Sequence, residues 1–224
     1  MATHIVRLLA LSALVVAALV AVSPASAAAD YRYDNDLRWW VHNSLEQASY
    51  TETHGKTIPK VVEVRCYTSK LSFERGAWRR GIPIEHLQYV IAYYNGTNSV
   101  MMRNGTCKAA TRFTQGIFTE ETVGAFKTLL HEALHRQGFH HERNTETYAI
   151  AAMKAAGQLV QWNVYLSRGA QDEDAAWESA YPAGERAQQL AFDSSHRWIA
   201  ESYLPSWDEV QAAERLGWAA RLNR

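Results

Sequence analysis

Two histidines four residues apart, with a glutamate beside the first, are the residues of this chain best suited to chemistry: His131-Glu132-Ala133-Leu134-His135. On a helix, positions i and i+4 lie one turn apart on one face, so the two imidazoles can share one metal ion. Zinc held by two imidazoles and one further protein ligand keeps a fourth position for water and lowers that water's pKa to about 7. A carboxylate beside that water can take its proton during attack on a carbonyl. Glu132, about 100° round the helix from His131, is placed for that role. The expectation is one Zn2+ on His131 and His135, with Glu132 as general base.

The flanking residues supply the helix this requires. Thr119 reads as an N-cap, and Glu120 and Glu121 favour the positive end of the dipole. Val123, Phe126, Leu130, Ala133 and Leu134 make an apolar stripe, and Gly138 is a stop. One face is therefore buried while the histidines stand on an adjacent strip, as in a helix lining a cleft.

Two histidines leave a catalytic zinc one ligand short. His131, Glu132, His135, Gly138 and His141 fill the spacing HExxHxxGxxH, and this stretch resembles the metzincin branch of the zincin metallopeptidases. Glu142 extends the likeness toward the astacin group. Thr145 stands where that group carries arginine, and Met153, the nearest methionine, lies in a helical run rather than a turn. The segment Glu146-Thr147-Tyr148-Ala149 is similar to the ExxA of the gluzincins, whose third ligand is a glutamate on the following helix. Independently, Glu146, Ala149, Met153, Ala156 and Val160 share one side of a second helix, which puts Glu146 on its inward stripe. Glu146 is the preferred third ligand, His141 the alternative and Glu142 the third choice, with a role as a carboxylate orienting a ligand histidine open to Glu142. Tyr148, Tyr165, His196 and Tyr203 are candidates for the group that stabilises a developing oxyanion. By the same resemblance, Ser99 to Arg103 would be the edge strand that holds an extended peptide.

The rest of the chain is read around this helix. Arg7, the apolar run Leu8 to Val22 and Ala25-Ser26-Ala27 form an export signal over residues 1–27, leaving a single domain at 28–224 in a secreted protein with no stable membrane insertion once the signal is removed. One basic residue, Arg7, leaves with the signal, so 23 basic against 23 acidic becomes 22 against 23, and a formal charge of −1 gives no electrostatic case for nucleic acid. Cys66 and Cys107 are the only cysteines, and in an oxidising compartment they are expected to form one disulfide.

Periodicity gives a helix at Asp36 to Ala48 and strands at Lys60 to Tyr67, Leu87 to Tyr94 and Ser99 to Arg103, the last two joined by an Asn95-Gly96 hairpin. Further helices are expected at Thr119 to Gln137, His141 to Leu166 and Gly184 to Leu204, with a short one after Pro205. Asn104-Gly105-Thr106 reads as a turn. The class is α+β, a small zincin-like domain with a short, mainly antiparallel sheet on the metal helix and a helical C-terminal half. The functional expectation is a secreted zinc peptidase acting on a peptide or protein substrate. Alternatives are a noncatalytic exported zinc-binding or interaction protein, and a zinc hydrolase acting on a cell-wall amide. The sequence specifies no oligomeric state.

Overall fold

Short strands with one or both faces covered form a four-stranded sheet. A computed structural model describes residues 30–50, 55–169 and 172–222; the expected export signal lies outside them. The strands are β1 (Tyr31–Tyr33), β2 (Glu63–Tyr67), β3 (Ala92–Tyr94) and β4 (Ser99–Met102), ordered β1-β2-β4-β3. Two of the three pairings are antiparallel, and β2 runs parallel to β4. All four residues of β4 are buried, as the strand has a core on each side: Val100 and Met102 join the main core, and Met101 joins a smaller cluster with Tyr67, Phe73, Ala77 and Tyr93. The expected hairpin is present. Gly96 takes φ 79°, and Asn95 Oδ1 accepts from the Thr97 and Ser99 amides, both at 3.0 Å.

Eight helices accompany the sheet among the described residues, and the class is α+β as expected. They are α1 (Asn35–Ala48), α2 (Lys70–Arg79), α3 (Asn104–Thr114), α4 (Glu120–Gln137), α5 (Glu142–Ser167), α6 (Glu173–Trp198), α7 (Trp207–Leu216) and α8 (Trp218–Leu222). Among the described residues no helix is long and apolar enough to cross a membrane.

Several sequence expectations are corrected. Residues Asn104 to Thr106 open α3 rather than forming a turn. The strand expected from Leu87 starts only at Ala92, because residues 84–90 satisfy their backbone in a 3-10 turn and its continuation, with Leu87 and Val90 packed on the smaller cluster. The strand expected from Lys60 starts at Glu63. The Lys60 backbone instead pairs with a side-chain amide: Gln137 Oε1 accepts from Lys60 N at 2.7 Å, and Gln137 Nε2 donates to Lys60 O at 3.0 Å. Helix α6 begins eleven positions before Gly184 and runs through Pro182. What looked like a helix start at Gly184 is a crossing point. A Cβ on Gly184 would lie 2.6 Å from Lys154 O, and one on Gly157 would lie 2.8 Å from Ala183 O, so α5 and α6 touch backbone to backbone there.

The disulfide Cys66–Cys107 is formed and ties β2 to α3. Helix α4 lies on the core through the expected stripe, with Val123, Phe126, Leu130, Ala133 and Leu134 fully buried. Each large side chain in that stripe contributes about 1.5–3 kcal/mol of transfer free energy. Phe126 stacks on Phe113 of α3 at 4.6 Å between ring centroids, so α4 is held from the disulfide side as well.

Candidate metal centre

Helix α4 starts and stops where the sequence indicates, and the stop itself positions a site residue. Thr119 caps the N-terminus reciprocally with Thr122. At the other end Gly138 takes φ 112°, Gly138 N bonds His135 O at 3.1 Å and Phe139 N bonds Leu134 O at 3.2 Å, the paired bonds of a Schellman turn. This turn folds the Phe139 carbonyl back over the last helical turn, where it lies 2.8 Å from His135 Nδ1. A carbonyl only accepts, so Nδ1 is the donor, and the neutral tautomer that this fixes has its lone pair on Nε2.

Only residues 138–141 separate α4 from α5. His141 occupies the N-cap of α5 without a side-chain capping bond and is exposed, as is His140. Glu142 follows as the first residue of α5, and Glu146 stands one turn further along the same face. The two carboxylates therefore meet His131 from opposite sides. Glu142 Oε2 lies 3.0 Å from His131 Nε2, Glu142 Oε1 lies 3.6 Å from His135 Nε2, and Glu146 Oε2 lies 2.8 Å from His131 Nδ1.

Ligand atoms of His131, His135 and Glu142 all lie within 4.8 Å of one another. Around a tetrahedral zinc with bonds of about 2.0 Å, ligand atoms stand roughly 3.3 Å apart, so at most about 1.5 Å of closure is needed. The donor set, two neutral-capable imidazoles and one carboxylate, suits zinc. Side-chain exposure grades outward from Glu146 at 2% through His131 at 13% and His135 at 16% to Glu142 at 49%, so the cluster runs from the core to the surface.

Glu146 sits differently from the third-ligand position expected of it. The inward stripe holds, since Glu146, Ala149, Met153, Ala156 and Val160 are all buried, but it carries Glu146 behind His131. Its Oε1 is engaged by Lys127 and by Ser195 Oγ, the latter at 2.5 Å, and its Oε2 by His131. Glu142, and not Glu146, groups with the two histidines as a possible metal-holding set. Burial alone would push the Glu146 carboxyl up, but the Lys127 ammonium and His131 bring it down to about 2. For His131, burial disfavours the charged ring, and the Glu142 and Glu146 carboxylates outweigh it, raising the ring to about 9.

Glu132 projects toward the sheet. Its Oε2 accepts from Tyr94 N at 2.7 Å, an amide on the outer edge of β3. Burial pushes this carboxyl above its usual range against the pull of His131 and His135. Strand β3 is the sheet edge beside the site; the strand expected there, Ser99 to Arg103, is β4 and lies between β2 and β3. The oxyanion candidates are dispersed. Tyr148 is buried against Phe139, Tyr165 lies near the far end of α5, His196 packs on Phe192 with Nδ1 3.0 Å from Phe192 O, and Tyr203 is exposed after α6.

Two residues the sequence did not single out belong to the centre. Lys127 precedes His131 by one turn on the strip that carries both histidines, a spacing visible in the sequence. Ser195 had no local signal, because only the packing of α6 brings it to Glu146. Comparisons of the chain with family models, with curated proteins and with solved structures gave no match.

Proposed function

We propose that this protein is an exported zinc-dependent hydrolase acting on peptide bonds, with His131, His135 and Glu142 as the metal ligands and Glu132 as general base. One observation carries the reading. Both Nδ1 atoms are taken by acceptors on the protein, Glu146 and Phe139 O, so both Nε2 atoms are left facing one carboxylate. A histidine pair tied in this way matches how metal-ligating imidazoles are oriented. When bound, the metal would supply Lewis acidity, acidifying water and polarising a substrate carbonyl.

The chain's own residues do the rest. Glu132, held by the Tyr94 amide through one oxygen, has a second oxygen to accept the proton of the attacking water and return it to the departing amine. A raised carboxyl suits a group that must take and give a proton near neutrality. Beside the site runs a groove of about 940 Å³ lined by Tyr89, Ile91, Gly124, Thr128 and Ile199. Strand β3 and helix α4 both run from this groove to Glu132, which suits an extended substrate better than a compact one.

Zinc content by mass spectrometry and a broad peptide-cleavage screen test the reading together. One zinc per chain and cleavage lost in Glu132→Gln support it. One zinc with no cleavage of any peptide would favour the noncatalytic zinc-binding alternative, and cleavage confined to cell-wall amides would move the substrate outside proteins.

A further inference from the structure

A buried lysine stands one helical turn before the first histidine. Lys127 is 5% exposed, and its ammonium donates to Glu146 Oε1 and, at 3.0 Å, to Ser195 Oγ. A charge so deep persists only when paired and hydrogen-bonded. The pairing is with a carboxylate on the Nδ1 side of His131, away from the group formed by His131, His135 and Glu142, so direct contact with a metal there does not explain it.

Its geometry does. Ser195 reaches in from α6, 2.5 Å from Glu146 Oε1, and is fixed in turn 2.9 Å from Ala191 O. One oxygen of Glu146 is therefore gripped from α4 and α6 while the residue itself belongs to α5. With that oxygen held, Oε2 is presented to His131 Nδ1 at 2.8 Å. The ammonium also pairs with the Glu146 charge, and the carboxylate that groups with the two Nε2 atoms is that of Glu142.

We propose that Lys127 and Ser195 are positioning residues for the metal centre: through Glu146 they fix the ring of His131 so that its Nε2 faces the space shared with His135 and Glu142. This rests on the reading of those three residues as metal ligands. Loss of a group that orients a ligand through a neighbour typically weakens metal binding 10–100-fold.

The test is a coupling cycle on zinc affinity, read by competition with a chromophoric chelator, with cobalt absorption as the spectroscopic signature. Lys127→Met and Glu146→Gln are each expected to raise the zinc Kd about 10–100-fold, to shift the cobalt bands, and, combined, to weaken binding no further than Glu146→Gln alone. Ser195→Ala, a milder change, should show the same non-additivity with Glu146→Gln and supplies the answer if Lys127→Met does not fold. Unchanged Kd in the single variants, or the same fold-loss with and without Glu146→Gln, overturns the clamp while leaving zinc binding intact. A wild-type chain that takes up no zinc overturns the ligand reading and the clamp with it.

Discussion

Glu146 Oε2 lies 2.8 Å from His131 Nδ1, on the side of the ring away from Glu142, which lies 3.0 Å from Nε2. One imidazole thus separates two carboxylates that stand one turn apart on α5. Their roles divide by depth. Glu142 is half exposed, and Glu146 is sealed behind the ring with a lysine and a serine.

That division predicts an order of effects. Glu142→Ala removes a proposed ligand and should cost more zinc affinity than Glu146→Gln, which removes a proposed orienting charge and should cost about 10–100-fold. Chelator competition on the two variants reads this directly. The reverse order would mean that Glu146 is the ligand.

Stability should depend on the same lysine. Lys127→Met leaves Glu146 buried without its counter-charge, and removing one partner of a buried ion pair costs about 3–5 kcal/mol. Urea denaturation should show a lower midpoint with an unchanged slope. A midpoint equal to wild type would show that the pair does not support the fold.

Gly138→Ala places a side chain at φ 112° and strains the turn that delivers the Phe139 carbonyl to His135. The expected loss is about 1–3 kcal/mol, together with weaker zinc binding, measured by thermal melts with and without zinc. Stabilisation by zinc identical to that of wild type would separate the turn from the site.

Much of this centre was legible because it is local. Thr119, Gly138 and the stripe from Val123 to Leu134 specify α4 by short-range rules, and the histidine spacing follows from the helix. The inward direction of Glu146 was legible too, but its depth was not. Whether a residue on an inward stripe reaches the metal or passes behind it depends on how closely α5 crosses α4, and Lys127 and Ser195, separated by 68 positions, decide what meets it. Helix α6 was misplaced for a related reason: Pro182 and Gly184 carry breaker signals, yet the close crossing with α5 at Gly157 calls for glycine inside a continuing helix. Strand order was likewise out of reach, since the parallel pairing of β2 with β4 leaves β3 at the edge and no local feature of Ser99 to Met102 signals a central strand.

Acid should loosen the start of α5 through α7. Arg143, next to Glu142, donates to Glu209 Oε2 at 2.9 Å, and Ser206 N donates to the same oxygen at 2.6 Å. The Arg143 bond and the Ser206 amide hold the Glu209 carboxyl at about 2. A carboxyl depressed in the folded state adds stability above its unfolded pKa, near 4.3, and loses it as pH falls toward the folded value. Wild type should therefore lose stability between about pH 5 and pH 2, and Glu209→Gln should lose less over that window. Equal losses in urea melts at the two ends would remove Glu209 from the acid response.

The most direct measurement is the position of the metal itself, from anomalous diffraction at the zinc edge on zinc-loaded crystals. The expected result is one peak about 2.0–2.2 Å from His131 Nε2, His135 Nε2 and a Glu142 oxygen, with Glu146 still on His131 Nδ1 and Lys127. A peak coordinated by Glu146 or His141, or no peak between the two histidines, would contradict it.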